Sequence, residues 1–211
     1  MYQAKFITFE GTEGVGKTTQ IQLLEKYLKT KNIACLVTRE PGGTTLGERV
    51  RELLLNNDGT DIDPMAELLL MFAARAQHLK EIIYPALKNN TWVLCDRFTD
   101  ASYAYQGGGR GVAFSAIKNI ESTVQEQFRP DLTVLLSGDI QGGMQRVSQR
   151  GEKDRFELEK REFFERVRNS YLKFAKTNPE RFSVVDADQT INETALAIQA
   201  VMKQRFAGLI A

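Results

Sequence analysis

Lys5-Phe6-Ile7-Thr8-Phe9-Glu10-Gly11-Thr12-Glu13-Gly14-Val15-Gly16-Lys17-Thr18-Thr19 decides how the rest of the chain is read. Its first six residues are rich in β-branched and aromatic types and predict a strand. Gly11 to Thr18 then match G-x-x-x-x-G-K-[ST] at every fixed position. From Thr18 to about Lys31, Ile21, Leu24, Tyr27 and Leu28 recur at helical spacing. Strand, glycine-rich turn and helix, in that order, are the setting in which such a loop holds phosphate. Gly11 and Gly16 let the backbone curl so that successive N–H groups point at phosphate oxygens. Lys17 adds a point charge for the β- and γ-phosphates, and the Thr18 hydroxyl is a ligand for Mg²⁺. The helix starting there contributes the positive end of its dipole. The loop therefore predicts a nucleotide site built from Gly11, Thr12, Glu13, Gly14, Val15, Gly16, Lys17, Thr18 and Thr19.

Outward from the loop, strand-like runs alternate with helical patterns. Further strands are expected at Ala34–Thr38, Thr91–Cys95, Asp131–Leu136 and Phe182–Val185. Helices are expected over Thr44–Leu55, Pro64 to about Asn89, Ser115–Phe128, Gln141–Gln149, Leu158–Lys176 and Glu193–Arg205. Gly107-Gly108-Gly109-Arg110-Gly111 reads as a flexible loop. Alternation of this kind implies βαβ units. The fold class is α/β, a doubly wound five-stranded parallel sheet with helices on both faces. Strands buried on both faces should be apolar throughout.

The 211 residues favour one domain. With 28 Lys and Arg against 27 Asp and Glu, the net charge is +1. That balance argues against nucleic-acid or membrane-surface binding. The two cysteines, Cys35 and Cys95, lie in apolar runs and read as reduced, buried thiols. With one histidine, His78, zinc-hydrolase and Ser-His-Asp chemistries lose their usual base. The absence of a signal-like or membrane-spanning apolar run leads us to expect a cytoplasmic protein.

A small single-domain protein with this loop, and without an Asn-Lys-x-Asp motif, points to a nucleoside or nucleotide kinase. Asp96-Arg97-Phe98 follows the third strand. Asp96 at a strand's C-terminal end beside the loop would join Thr18 in holding Mg²⁺. Arg97 suits a bidentate hold on an acceptor phosphate. Arg146, Arg150, Lys153 and Arg155 form a basic segment, and Arg146 and Arg150 repel each other across one helix face unless an anion lies between them. The segment at about 146–157 reads as a lid over ATP.

These pieces together resemble the bacterial thymidylate kinase family. The resemblance rests on Phe9 to Thr19, Thr38-Arg39-Glu40-Pro41-Gly42-Gly43-Thr44, Met71-Phe72-Ala73-Ala74-Arg75, Asp96-Arg97-Phe98, Tyr105 to Gly111, Arg129-Pro130-Asp131-Leu132 and Arg150 to Arg155. It implies transfer of a phosphoryl group from Mg-ATP to dTMP, giving dTDP, by a homodimeric enzyme. Lys17, Arg97 and Arg150 would be catalytic, with Arg146, Arg150 and Arg155 over ATP. Glu13, Arg39, Glu40, Pro41, Arg51, Phe72, Arg75, Arg97, Ser102, Tyr103 and Gln106 would line the dTMP side. Arg75 would hydrogen-bond the thymine and Phe72 would supply its stacking ring, although the family commonly places that aromatic at the position held here by Met71. Gly14 stands where some members carry an arginine, and Ser137 and Ile140 stand where members often have Asp and Pro. A kinase of another nucleoside monophosphate or of a deoxynucleoside, and an ATP-binding regulator without turnover, are the alternatives that a substrate panel separates.

Overall fold

The computed structural model describes residues 4–149 and 154–210. Among these, β1 (Phe6–Glu10), β2 (Cys35–Arg39), β3 (Trp92–Asp96), β4 (Leu132–Ser137) and β5 (Phe182–Asp186) form one parallel sheet in the order β2-β3-β1-β4-β5. The helices between them are α1 (Lys17–Thr30), α2 (Thr45–Leu55), α3 (Pro64–His78), α4 (Tyr84–Lys88), α5 (Thr99–Ser102), α6 (Phe114–Gln125), α7 (Ile140–Ser148), α8 (Arg161–Thr177) and α9 (Ile191–Arg205). This is the expected doubly wound sheet, each strand within a residue or two of its sequence reading. The central strand β1 is wholly buried, as a strand covered on both faces must be, while β2 at the sheet edge is half-exposed.

On one face, α1 and α9 pack against the strands through Ile21, Leu24, Leu28, Ile198 and Met202. On the other, α8 lays Phe163, Phe164, Val167 and Tyr171 over Leu135 and Phe182. Burying each such side chain contributes about 1.5–3 kcal/mol. No helix among the described residues is long and apolar enough to cross a membrane.

The helix expected from Pro64 to about Asn89 is not uniform. Asp63 caps it, its carboxylate accepting from the Met65 and Ala66 amides. Directly after His78 it widens into a π-wound turn, Leu79–Ile83, before α4. Pro85 has no N–H and its ring crowds the carbonyl four residues back, which is the physical reason for the wide turn.

The glycine run is not a loop. Tyr103–Gly109 is π-wound and mostly buried. A methyl group at residue 108 would come 2.0 Å from Ser170 Oγ, and one at 109 would come 2.5 Å from the Phe163 ring. The glycines therefore let α8 approach this segment closely, and flexibility is not their purpose.

From β1 the chain passes to β2 at the sheet edge, returns to β3 between the two, then crosses past β1 to β4 on the other side. Ligands of such sheets bind outside the strand C-terminal ends, where the winding reverses. Glu10, Arg39 and Asp96 end β1, β2 and β3 at that edge.

Candidate active site

The turn between β1 and α1 forms the floor of one half of a cleft. Gly11, Gly14 and Gly16 have φ of +137°, +68° and +100°, values that L side chains rarely adopt. Gly16 caps α1 without a side-chain hydrogen bond, so the first amides of the helix face the cleft undecorated. Gly14 has a second reason to be glycine, since a methyl group there would meet Gly143 O at 2.2 Å. That contact brings α7 onto the loop, and Arg146 from α7 donates from Nε to Gly14 O at 2.8 Å. Lys17 is buried and donates to Thr12 O at 3.1 Å and Gly11 O at 3.4 Å. Burial, and then Arg97, hold its ammonium below the usual lysine range.

Asp96 ends β3 beside Thr18. Its Oδ2 accepts from the Thr18 hydroxyl at 3.4 Å. Its Oδ1 is buried with no hydrogen-bond partner among the described residues. A carboxylate oxygen in that condition, next to a hydroxyl, is the donor set that suits a hard divalent cation.

Arg97 joins the two halves of the cleft. It holds φ of +68°, a left-handed conformation that costs a side-chain-bearing residue roughly 1–2 kcal/mol. Its guanidinium reaches Gly11 O at 3.0 Å, Glu13 Oε2 at 2.7 Å, the Tyr105 hydroxyl at 2.9 Å and the Tyr171 hydroxyl at 3.3 Å. Burial pushes the Glu13 carboxyl up, but Arg97 and Lys17 outweigh it and hold it below the usual carboxylate range. Behind Arg97 lies Glu10, accepting from the Phe98 amide at 2.8 Å and the Tyr171 hydroxyl at 2.6 Å. Burial, reinforced by Asp100, pushes the Glu10 carboxyl up to about 8.

The opposite wall comes from the β2 exit, α2, α3 and the stretch after β3. Arg39, Glu40, Pro41, Arg51, Arg75, Ser102 and Gln106 all line the cleft. Arg39 is paired with Glu48 at 2.7 Å, and Arg51 donates to Pro41 O at 3.2 Å. Burial, and then Arg39, hold Arg51 below the usual arginine range, so two like charges share the cleft mouth. Arg75 is 2 % exposed, yet its guanidinium borders the cleft. Nε donates to Glu40 Oε2 at 2.7 Å, NH1 to Ser102 Oγ at 3.1 Å, and NH2 to Phe98 O at 3.1 Å and Ser102 Oγ at 3.2 Å. One N–H of NH1 has no acceptor among the described residues.

Three expected site residues stand elsewhere. Phe72 does not line the cleft. It packs with Leu68 and Ile117, its ring 4.4 Å from Arg75 Cζ on the far side. Met71 and Arg75 share the cleft-facing side of α3 at i,i+4 spacing, and one residue further on is about 100° around the helix. Tyr103 also points away. Its hydroxyl donates to Glu121 at 2.6 Å and its ring packs on Phe114 and Phe174. Tyr105 occupies the cleft instead, because the wall presents residues 101, 102, 105 and 106. Arg155 is not poised over the phosphate loop. It is clamped to buried Glu67 and donates from Nε to Leu54 O at 2.9 Å, so it ties its segment to α2 and α3. Arg150 and Lys153 lie outside the described residues.

Sequence reasoning gave no role to Tyr105, Tyr171 and Glu10, and marked Met71 only as the position of the family's aromatic. Tyr105 and Met71 were signalled by four-residue spacing to Ala101 and Arg75. Tyr171 and Glu10 carried no local signal, since they meet across 161 residues of chain.

The family model for thymidylate kinase matches residues 9–198. A thymidylate kinase of Ruthia magnifica subsp. Calyptogena magnifica is 51% identical over 203 residues, covering 96% of this chain and 99% of the relative. One from Hahella chejuensis is 49% identical over 208 residues, covering 99% and 100%. The crystal structure of thymidylate kinase from Ehrlichia chaffeensis superposes with a TM-score of 0.77 at 36% identity, covering 94% of this chain and 98% of that one. On the strength of the matched model and of relatives near half identity along almost the whole chain, the protein belongs to the thymidylate kinase family.

Proposed function

We propose that this cleft transfers the γ-phosphoryl group of ATP to the phosphate of dTMP, giving ADP and dTDP for thymidine nucleotide synthesis. The observation that carries this reading is Arg97, whose one guanidinium binds both the phosphate loop and the acceptor wall. A dTMP phosphate oxygen attacks the γ-phosphorus as the bond to the β-phosphate oxygen breaks. With a second pKa of about 6 the acceptor phosphate is already largely dianionic at pH 7, so no general base is needed. The work is to bring two anions together in line.

The amides of Gly11 to Thr19, with Gly14 and Val15 at the turn, cradle the ATP phosphates, and Lys17 neutralises charge on the group in transfer. Arg146 stands beside them from α7. Thr18 and Asp96 would hold Mg²⁺, as the partnerless Asp96 oxygen supports. When bound, the ion neutralises β- and γ-phosphate charge. Arg97, with Arg39 and Arg51 nearer the mouth, draws the acceptor phosphate in. Glu13, held ionised by Arg97, accepts from the deoxyribose 3′-hydroxyl, directly or through water. Arg75 reads the base. Its unused N–H is a donor only, so it suits a carbonyl such as thymine O4 and rejects an exocyclic amine at the same place. Glu40, Pro41, Ser102 and Gln106 complete the wall. Met71 and Tyr105 line the cleft beside Arg75 and Gln106 and pack against the bound nucleotide.

The chain works as one domain in which the segment at about 146–157 serves as a lid. Arg146 meets the phosphate loop at one end, and Asp154, Phe156 and Glu157 meet the cleft at the other. Arg150 is the catalytic cation of that lid, and Arg155 is its anchor. Leu53 and Leu69, half-exposed on packed helices α2 and α3, support a homodimer. Two free cysteines fit a reducing cytoplasm.

The test is ADP formation from Mg-ATP with dTMP, dUMP, dCMP, AMP, GMP and thymidine. Turnover should be fastest with dTMP, weak with dUMP and negligible with the others. Faster turnover on any other acceptor, or ATP binding without turnover on dTMP, overturns the reading.

A further inference from the structure

The protein's one histidine is fully buried three residues beyond Arg75, at the last turn of α3. Its Nδ1 lies 2.9 Å from Glu40 Oε1 and its Nε2 lies 2.7 Å from Thr38 Oγ1. The other oxygen of Glu40 takes Arg75 Nε at 2.7 Å. Thr38 on β2, His78 on α3, Glu40 on the β2 exit and Arg75 on α3 thus form one unbroken chain of hydrogen bonds. Its inner end lies against the sheet edge and its outer end is the guanidinium at the cleft.

We propose that His78 is a positioning residue for acceptor recognition, holding Glu40 Oε1 so that Glu40 Oε2 fixes the plane of the base-reading Arg75. The proposal rests on the reading of Arg75 given above and extends it to the support behind that residue.

The chemistry assigns the Nδ1 proton. A carboxylate only accepts, so His78 Nδ1 carries a hydrogen and donates it to Glu40. Nε2 shares a hydrogen bond with the Thr38 hydroxyl, so both ring nitrogens have a partner. Glu40 is pulled from two sides and has one orientation that meets both demands. Arg75 Nε is thereby held, while Ser102 and Phe98 O hold the far side of the guanidinium. NH1 keeps one N–H without an acceptor among the described residues, on a side chain that lines the cleft. Without the imidazole, Oε1 would be a buried charged oxygen with no donor, and Glu40 would rotate to find one. Arg75 would follow.

The surrounding backbone is built to this pair. A methyl group at Gly43 would come 2.7 Å from both His78 Nε2 and Thr38 Oγ1. The Gly42–Gly43 turn therefore leans directly on the imidazole and the hydroxyl. A valine opposite a leucine would fill this space with no buried polar atoms to satisfy. What the apolar pair lacks is a donor for Glu40.

Asparagine and glutamine separate the two ring nitrogens. Asparagine carries its amide nitrogen two bonds from Cβ, as Nδ1 is, and glutamine carries it three bonds away, nearer to Nε2. His78→Asn keeps the donor to Glu40, whereas His78→Gln and His78→Ala lose it. Misplacing a recognition group by about 1 Å is enough to cost up to ~10²-fold. The Ala and Gln variants should therefore raise the dTMP KM about tenfold, leave the ATP KM within about twofold, and lower the preference for dTMP over dCMP about tenfold. His78→Asn should restore the dTMP KM to within about threefold of the parent. The variants are compared with Arg75→Ala in the same assays. If Arg75→Ala leaves both the dTMP KM and the dTMP/dCMP preference intact, the base-reading role fails and this proposal with it. If Arg75→Ala abolishes the preference while all three His78 variants keep it, the relay alone is wrong. Equal rises in ATP and dTMP KM in all three His78 variants would make His78 a packing residue and overturn the proposal.

Discussion

The two halves of the cleft are built in opposite ways. The donor half is one uninterrupted turn, Gly11 to Thr19, and what it presents is mainly backbone amides at the start of α1. The acceptor half is gathered from the β2 exit, α2, α3 and residues 97–106, and what it presents is side chains. A backbone cradle depends on φ values, and glycines at 11, 14 and 16 supply them locally. A side-chain wall depends on which way each residue faces, and tertiary packing decides that. The first half should respond to a substitution sharply and by itself. The second should respond through chains of neighbours.

The largest expected effect tests the independence of the donor half. Lys17 is the charge at the centre of the loop; it donates to two loop carbonyls, at 3.1 and 3.4 Å, and its one ion pair among the described residues is with Glu13 of the same loop, at 3.9 Å. Removing a preorganised charge from a transferring group costs on the order of 10³-fold in rate. Lys17→Ala should lose about that much kcat while dTMP affinity, read by calorimetry, changes less than about threefold. A kcat within tenfold of the parent would remove Lys17 from the reaction. An equal loss of dTMP affinity would show that the halves are not separate.

The same contrast explains how much of the molecule is legible in its sequence. The loop is local, so a spacing rule found it. The sheet is nearly as local, since each strand is a short apolar run between turns, and the order of elements implies parallel winding. Arg39, Glu40, Arg51, Arg75 and Arg97 line the cleft, and all but Arg51 sit inside stretches that carry the family's pattern. Phe72 stands off the cleft for a geometric reason, because Met71 and Arg75 take the inner face of α3 and leave Phe72 behind it. Tyr103 lies on the outer side of its segment, where Glu121 of α6 takes its hydroxyl, a partner that comes from another element. Arg155 looked like a lid cation because the charges around it are dense in sequence. Nothing nearby announced that Glu67, 88 residues away and fully buried, would claim it. His78 likewise carries no sign of its role on its own helix, since its partners Thr38 and Glu40 come from β2 and its exit.

Glu10 sits beneath both halves, and its titration measures how they are joined. Its folded pKa of about 8 lies above the ordinary 4.5, chiefly through burial. Between those values the folded state holds a proton that the unfolded state has released. Stability carried by this group is therefore fully present below about pH 4.5 and is lost as the pH rises through about 8. Within the window the slope is at most one proton, about 1.4 kcal/mol per pH unit. Glu13 acts in the opposite sense and elsewhere: its carboxyl is held below 4.5, so its contribution is present above that pH and lost only in acid. Denaturant melts of the parent and of Glu10→Gln from pH 5 to 8 separate the two. The Gln variant should gain on the parent steadily as the pH rises. Parallel curves would mean that Glu10 is ionised throughout and that Tyr171 and the Phe98 amide suffice to hold its charge.

The smallest expected effect is the most pointed test of the acceptor wall, because it sets two tyrosines two residues apart against each other. The Tyr105 hydroxyl donates to Glu13 at 3.1 Å and accepts from Arg97 at 2.9 Å. Both partners are charged, and a hydrogen bond to a charged group is worth about 1.5–3 kcal/mol. Arg97 and Glu13 retain each other in Tyr105→Phe, so the loss in kcat/KM for dTMP should lie at the lower end, about tenfold. The Tyr103 hydroxyl is bonded just as well, to Glu121 at 2.6 Å, but on the outer side of the same segment. Tyr103→Phe should cost about 1 kcal/mol of stability and leave dTMP kinetics within about twofold. Both variants lose one hydroxyl from one short π-wound stretch, so general damage to the wall would appear in both. A kinetic loss confined to Tyr105 would follow from the direction of the side chain alone. If Tyr103→Phe were the kinetic variant instead, the 103–109 turn of the working enzyme would present residue 103, not 105, to the cleft.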